Sequence, residues 1–188
     1  LKIKPTFLVH FAASAYVEES FLNPLDYISN NIGGMESVTR ICTKLSIPII
    51  FSSSCSVYGE VKSLPVSEQS ELIPLSPYGE TKLLCEKILK WCNKSSNLKY
   101  VSLRYFNAAG ADFDQEIGED HNPETHLIPL VIRSLNQGIK LKIFGDNYNT
   151  NDGTAVRDYI HVNDLARAHL KAIEYLNSNG ESDFFNLG

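Results

Sequence analysis

The 188 residues are 43% apolar, 21% charged and 10% aromatic, enough for one substantial core and unlike a disordered chain. A net charge of −5 with no Lys/Arg-rich run argues against a nucleic-acid partner, yet a few placed cations can still hold a small anion. No apolar stretch is long enough for a bilayer and no signal-peptide layout opens the sequence, so there is no membrane partner to expect. Cys42, Cys55, Cys85 and Cys92 lack CxxC spacing and read as reduced packing residues of a cytoplasmic protein.

The run Phe7–Ala13 is apolar and ends in small residues, as buried parallel strands do. A helix is predicted over about 24–45, with Ile28, Ile32, Met35, Val38, Ile41, Cys42 and Leu45 along one face. Ile47–Ser52 reads as a second buried strand, leading into Ser52-Ser53-Ser54. Residues 59–76 carry Gly, two Pro and polar groups, the composition of a loop. Ser76-Pro77 then opens a helix, with a cap residue followed by Pro at the first turn. That helix runs to about Lys94 on an apolar side of Leu83, Leu84, Ile88, Leu89 and Cys92.

Leu98–Phe106 is a third strand, and after Asn107 the texture becomes polar and acidic from Gly110 to Thr125. A short helix near 127–136, a strand over Lys140–Phe144 and a polar loop over 146–154 follow. Asn163-Asp164 are expected to cap a helix to about Asn177, and Asp183–Leu187 is a last strand. Strands alternating with helices at this spacing make βαβ units and a parallel α/β sheet.

Ligands of open α/β sheets bind beyond the carboxyl ends of the strands. Ala12-Ala13, Ser52-Ser53-Ser54 and Phe106-Asn107 are the three such ends. Against them stands Tyr78-Gly-Glu-Thr-Lys82, whose phenol and ammonium, four residues apart on a helix, share a face. A free phenol near pKa 10 is a poor base at neutral pH, and lowering it by about three units takes about 4 kcal/mol. One ammonium at about 4 Å supplies about that at an effective dielectric near 20. The spacing alone is weak, because a second copy, Tyr58-Gly-Glu-Val-Lys62, also occurs. The second copy sits among Gly59, Ser63 and Pro65, where a loop need not turn its two side chains together. His10, inside a strand, reads as a core histidine. No spacing of His, Cys, Asp or Glu reads as a metal site, so none is expected.

Ser52-Ser-Ser-Cys-Ser-Val-Tyr-Gly59, Ser76-Pro-Tyr-Gly-Glu-Thr-Lys82 and Arg104-Tyr-Phe-Asn107 together resemble the extended short-chain dehydrogenase/reductase superfamily. Within it, Gly118-Glu-Asp120, His126-Leu-Ile-Pro129, Ile143-Phe-Gly145, Asp152-Gly-Thr154 and Arg157-Asp-Tyr-Ile-His-Val162 resemble the UDP-glucose 4-epimerase family. That resemblance implies a Rossmann-type doubly wound parallel sheet, its first strands missing from this chain, with part of a smaller substrate-binding lobe. It divides the chain at about 107: residues 1–107 belong to the NAD-binding domain and 108–188 to the substrate lobe, the last helix and strand returning to the sheet. It implies C4 epimerisation of a UDP-sugar through transient NAD-dependent oxidation, with Tyr78 as base, Ser54 sharing the hydroxyl proton and Lys82 holding the nicotinamide ribose. By the same matching, Phe11, Ala12, Ala13, Asn30 and Phe106 approach NAD together with Tyr78 and Lys82. Ser54, Asn107, His126, Leu127, Phe144 and Arg157 then line the UDP-sugar side, with His126 standing where some members carry asparagine. A homodimer through the helices near 24–45 and 77–94 is implied as well.

Dehydratases of this superfamily place Asp-Glu just before the Val-Tyr-Gly turn, where this chain has Cys55-Ser56, and neither can act as the required carboxyl pair. Epimerases of UDP-pentoses, UDP-uronates or UDP-N-acetylhexosamines remain as alternatives, as does a non-catalytic NAD(P)-sensing protein, disfavoured by the retained Ser54, Tyr78 and Lys82. The superfamily's Gly-x-x-Gly-x-x-Gly, which seats a pyrophosphate at a helix N-terminus, is absent from the eleven glycines. With its start at Leu1 and a sole methionine at Met35, the sequence reads as an excerpt, expected neither to fold well nor to bind NAD by itself.

Overall fold

The computed structural model describes residues 5–114 and 116–188. Four strands, β1 (Leu8–His10), β2 (Ile49–Ser54), β3 (Tyr100–Tyr105) and β6 (Asp183–Leu187), form a wholly parallel sheet in the order β1-β2-β3-β6. Between them run α1 (Val17–Leu22), α2 (Pro24–Tyr27), α3 (Gly33–Leu45), α4 (Pro77–Ser96), α5 (Leu127–Gln137) and α6 (Val162–Asn177). A smaller parallel pair, β4 (Asn107–Ala109) with β5 (Tyr159–His161), branches off just beyond β3.

All six residues of β2 and the first five of β3 are buried, so these central strands, Arg104 apart, read as near-continuous buried runs rather than as alternating ones. Alternation nonetheless sorts their side chains between two cores, because successive residues point to opposite faces. Ile49, Phe51 and Tyr100 pack with Met35, Cys42, Cys85 and Leu89 of α3 and α4. Ile50, Val101 and Leu103 pack with Ala172 and Leu176 of α6 on the other face. Helices therefore cover both faces of a parallel sheet, which is the doubly wound architecture.

The predicted helix over 24–45 is helical throughout, but its path is α2, a π-helical turn at Ile28–Ile32, then α3. The wide turn buries Asn31, whose side chain joins two segments: Ser14 N donates to its Oδ1 at 2.8 Å, and its Nδ2 donates to Thr81 Oγ1 at 3.0 Å. A 3.6-residue pattern carries no signal for such a bulge, which is common near functional sites. Ser76 caps α4 as its sequence predicts: its Oγ accepts from Gly79 N at 3.1 Å, with Pro77 in the first turn.

Three expectations are corrected. Lys140–Phe144 is not a strand: it pairs with no neighbour among the described residues, and Ile143 and Phe144 are 71% and 85% exposed, so its apolar residues lack the sheet surface a strand needs. The helix α6 begins earlier than Asn163-Asp164, because His161 Nδ1 accepts from Asn163 N at 3.2 Å and takes the cap position. The first strand covers only Leu8–His10 of the Phe7–Ala13 run. The short α1 and the β4–β5 pair have no counterpart in the sequence reading, since six and three residues are too few to show a period.

Candidate active site

The carboxyl end of β2 supplies three serines with three different partners. Ser52 C=O accepts from Lys82 Nζ at 2.7 Å, Ser53 Oγ donates to Glu86 Oε1 at 2.6 Å, and Ser54 Oγ accepts from Ser56 N at 3.2 Å. Because Lys82 and Glu86 are one helical turn apart, adjacent residues of β2 fix adjacent turns of α4. The helix is brought this close by Gly79. A Cβ there would lie 2.6 Å from Ser56 O and 3.1 Å from Pro74 Cβ, so any larger residue would push the first turn of α4 off the Cys55–Val57 turn. Thr81 adds a further tie, donating to Tyr78 O at 2.7 Å while it accepts from Asn31.

These contacts gather Ser54, Tyr78 and Lys82 at one strand end, with Tyr78 9% and Lys82 3% exposed. The Lys82 ammonium lies 5.7 Å from the Tyr78 ring centroid and 5.1 Å from that of Phe51. Its single protein hydrogen bond uses one of three N–H donors, and it meets no carboxylate among the described residues. Burial consequently lowers Lys82 to about 8 from its usual 10.5. His10, buried and stacked on Phe51, is a core histidine as expected; burial lowers it first and the Lys82 charge second.

The expected depression of Tyr78 by Lys82 does not hold for the chain by itself. Burial pushes the phenol up to about 12, and Ser54 is the neighbour that opposes the rise, while Tyr105 and Cys55 add to it. Desolvation of the phenolate outweighs the help that an ammonium 5.7 Å from the ring centroid gives.

The competing Tyr58/Lys62 pair is separated by the fold. Lys62 is exposed and pairs with Glu71 at 2.8 Å, whereas Tyr58 is buried and accepts from Arg104 Nη1 at 2.8 Å. Arg104 is the hub that sequence reasoning missed. It is fully buried, bonds Glu86 through Nε at 2.9 Å and Nη2 at 2.6 Å, and stacks 4.1 Å from the Phe184 centroid. Tyr58 Oη also donates to Asn186 Oδ1 at 2.6 Å, so β2, β3, β6 and α4 meet in one polar network. A charged residue inside an otherwise buried strand, Arg104 in Tyr100–Tyr105, was the available signal, because such a charge needs a partner.

The other singled-out residues lie around this center at varying depth. Phe11 and Ala12 are exposed past the end of β1, Ala13 is half-buried, and Asn30 is exposed with its Nδ2 donating to Ser14 Oγ at 3.1 Å. Phe106 is half-buried, and its N donates to Leu187 O at 3.1 Å; Asn107 Nδ2 donates to Asp158 O at 2.7 Å. His126 and Leu127 open α5, and the His126 ring borders a cavity of about 400 Å³ walled by residues 108–112, Ile117–Glu119, His121, Val162 and Asn163. Arg157 forms no ion pair with Asp158 among the described residues; its Nη1 donates to Val156 O at 3.0 Å, and its charge acts on the Cys55 thiol. Phe144 stands apart, outside that cavity and almost wholly exposed. All four cysteines are free thiols. No helix among the described residues is long and apolar enough to cross a membrane.

Known proteins resemble this chain in sequence and fold. A UDP-glucose 4-epimerase of Halalkalibacterium halodurans is 49% identical over 183 residues, 96% of this chain and 55% of its own length. A crystal structure of UDP-glucose 4-epimerase from Brucella ovis in complex with NAD superposes with a TM-score of 0.95 at 48% identity, over 100% of this chain and 58% of that one. The enzyme from Bifidobacterium longum, in complex with NAD+ and UDP, gives a TM-score of 0.88 at 36% identity over 100% of this chain and 57% of its own. The chain thus spans a little over half the length of the relatives it matches. A family model described as the NAD dependent epimerase/dehydratase family matches residues 1–188, and with the Ser54, Tyr78 and Lys82 cluster in place at the strand ends, this chain belongs to that family.

Proposed function

We propose that the protein this chain represents is a UDP-glucose 4-epimerase, interconverting UDP-galactose and UDP-glucose through a transient 4-keto sugar. The observation that carries the reading is the convergence of Ser54, Tyr78 and Lys82 where β2 meets the first turns of α4. Cys55, at the position where a dehydratase would need a carboxyl, has its thiol pushed up by burial and does not replace that carboxyl as an acid/base group.

The residues present fit NAD. Among the described residues Lys82 keeps two unused N–H donors and an uncompensated buried charge, which suits paired ribose hydroxyls beside a phenolate. Small residues at Ala12-Ala13 leave the backbone open to a flat ring, and Asn30 and Phe106 are assigned to the same cofactor. Bound NAD+ would supply the acceptor for the hydride from C4 of the sugar and would add a second positive charge to that of Lys82 near Tyr78.

Tyr78 then accepts the C4 hydroxyl proton, and Ser54 shares that proton through its hydroxyl. Lys82, a buried cation beside the Tyr78 ring, favours the phenolate electrostatically. Asn107, His126, Leu127, Phe144 and Arg157 are assigned to the UDP-sugar side, Arg157 as a bidentate donor to phosphate oxygens. We assign residues 1–107 to the cofactor-binding domain and 108–188 to part of the substrate lobe, with α6 and β6 returning to the large sheet. We assign the face of α2, α3 and α4 to a homodimer contact in a cytoplasmic enzyme, supported by exposed Leu25, Ile41, Leu84 and Trp91.

The test is turnover of UDP-galactose to UDP-glucose by the full-length protein and by Tyr78→Phe. Loss of a proton acceptor of this kind lowers kcat by about 10²–10⁴-fold. Unchanged turnover in the variant would remove Tyr78 from the mechanism. Conversion of a UDP-pentose, a UDP-uronate or a UDP-N-acetylhexosamine in place of UDP-galactose would reassign the substrate and leave the chemistry standing.

A further inference from the structure

We propose that Glu119, His121, Glu124 and His126 form a site for a divalent transition metal of the Zn²⁺ class, which fixes the loop between β4 and α5. One donor atom from each of the four lies within 4.8 Å of every other. Bonds of about 2.0–2.1 Å in a tetrahedron place ligand atoms about 3.3 Å apart, so small side-chain rotations close the set on an ion. Two imidazoles with two carboxylates suit Zn²⁺ or its neighbours better than the all-oxygen cations.

The geometry around His121 separates this reading from ordinary histidine–carboxylate hydrogen bonding. Glu119 Oε1 approaches His121 Nδ1 to 2.9 Å and Glu124 Oε1 to 3.8 Å. Even so, this buried Nδ1 has no aligned hydrogen-bond partner, because the oxygens lie off the axis of the ring nitrogen. Off-axis oxygens around a free ring nitrogen are what co-ligands look like when the lone pair points between them. The other imidazole is arranged to match: His126 Nδ1 contacts the same Glu119 Oε1, and the two rings stand edge-on at 86° with centroids 4.8 Å apart.

Charge points the same way. From Arg104 to Arg133 the sequence holds six Asp and Glu residues without one Lys or Arg between them, so a bound cation relieves repulsion that no basic side chain of that segment offsets. With four protein ligands the site is closed and structural rather than hydrolytic. Its place gives it a consequence. His121 and His126 border both the 400 Å³ cavity and a second one against Ala13–Tyr16 and Glu19, and His121 meets the Tyr16 ring edge-on at 5.8 Å. The metal would pin the wall shared by the two cavities, and the His126 imidazole would act on the sugar side through the backbone it holds.

The experiment is direct metal binding by the full-length protein after chelator treatment and dialysis, read as visible ligand-field absorption during titration with CoCl₂. Equimolar binding is expected, displaced by Zn²⁺ and free of thiolate charge-transfer bands. Affinity should fall by at least about tenfold in His121→Ala and in Glu124→Gln, since changes even one shell behind a metal have effects of that size. Glu124→Gln keeps an oxygen for the backbone N–H groups of Thr125 and His126, which Glu124 Oε1 now accepts at 2.8 Å each, so it preserves the local fold. Absence of the bands, thiolate bands, or unaltered affinity in both variants overturns the site. If both variants fail to fold, X-ray absorption on the Zn²⁺-loaded wild type decides: two imidazoles with two oxygens support it, and a sulfur-containing or oxygen-only shell overturns it.

Discussion

The unit formed by β2, β3 and α4 and the stretch from β4 to β5 are built by opposite means. In the first, nearly every strand residue is buried, and Arg104, Glu86, Tyr58 and Ser53 satisfy one another within the core. In the second, α5 has no buried residue, and Leu127, Ile132 and Leu135 stand 52%, 53% and 79% exposed. The proposed proton chemistry sits entirely on the first region, whereas the residues assigned to the UDP-sugar sit mostly on the second. On that proposal, reaction geometry is held by packing, while substrate contacts are carried on elements fixed chiefly by local hydrogen bonds.

If that contrast is right, removing one charge from the buried network should be the most damaging change to stability. Glu86→Ala strands the Arg104 guanidinium and is expected to cost about 3–5 kcal/mol in denaturant unfolding. Phe144→Ala, in the exposed stretch, is expected to stay within about 0.5 kcal/mol. Equal effects would erase the distinction.

Lys82 sharpens it further, being the charge that the buried region carries without a carboxylate. At pH 7 the ammonium is protonated in both folded and unfolded chains, and its burial costs about 3 kcal/mol for a pKa lowered from 10.5 to about 8. Between about pH 8 and 10.5 the folded chain releases the proton before the unfolded one, so this contribution to stability rises with pH. Lys82→Met should therefore be the more stable protein below pH 8 in the absence of NAD, with its advantage shrinking toward pH 10.5. A gap that does not change with pH would mean the ammonium is solvated.

On the exposed side the effect should appear in binding rather than in folding. Arg157→Lys keeps the charge but loses the planar fork, and KM for UDP-galactose is expected to rise by about tenfold with kcat retained. A fall in kcat with unchanged KM would place Arg157 in the chemistry instead. The smallest expected change is Ser76→Ala at the start of α4, about 1 kcal/mol of stability for a lost N-cap. Its unfolding curve, set beside that of Glu86→Ala, weighs the cap of α4 against its anchor.

Local signals made part of this legible in advance. The Ser76-Pro77 start and the length of α4 followed from a capping residue and a helical period. The Tyr58/Lys62 copy could be set aside because its glycine and prolines broke any helix beneath it, and Lys62 indeed turns outward to Glu71. Lys140–Phe144 misled because a short apolar stretch becomes a strand only where a sheet edge is present to receive it. The π-turn that buries Asn31 and the pairing of β4 with β5 depend on partners 50 residues away, which no window of sequence contains.

The sequence alone determined the order of the longer elements, the parallel sheet and the face shared by Tyr78 and Lys82, since periodicity, capping and spacing are local properties of a chain. Only the tertiary structure decided the protonation energetics of that pair, because desolvation depends on everything packed around it: burial holds the phenol near 12 and the ammonium near 8. It also decided which polar residues cooperate. Arg104 finds Glu86 and Tyr58, and Glu119 finds His121 and His126, through side-chain directions that the folded backbone sets and that spacing in the sequence leaves open.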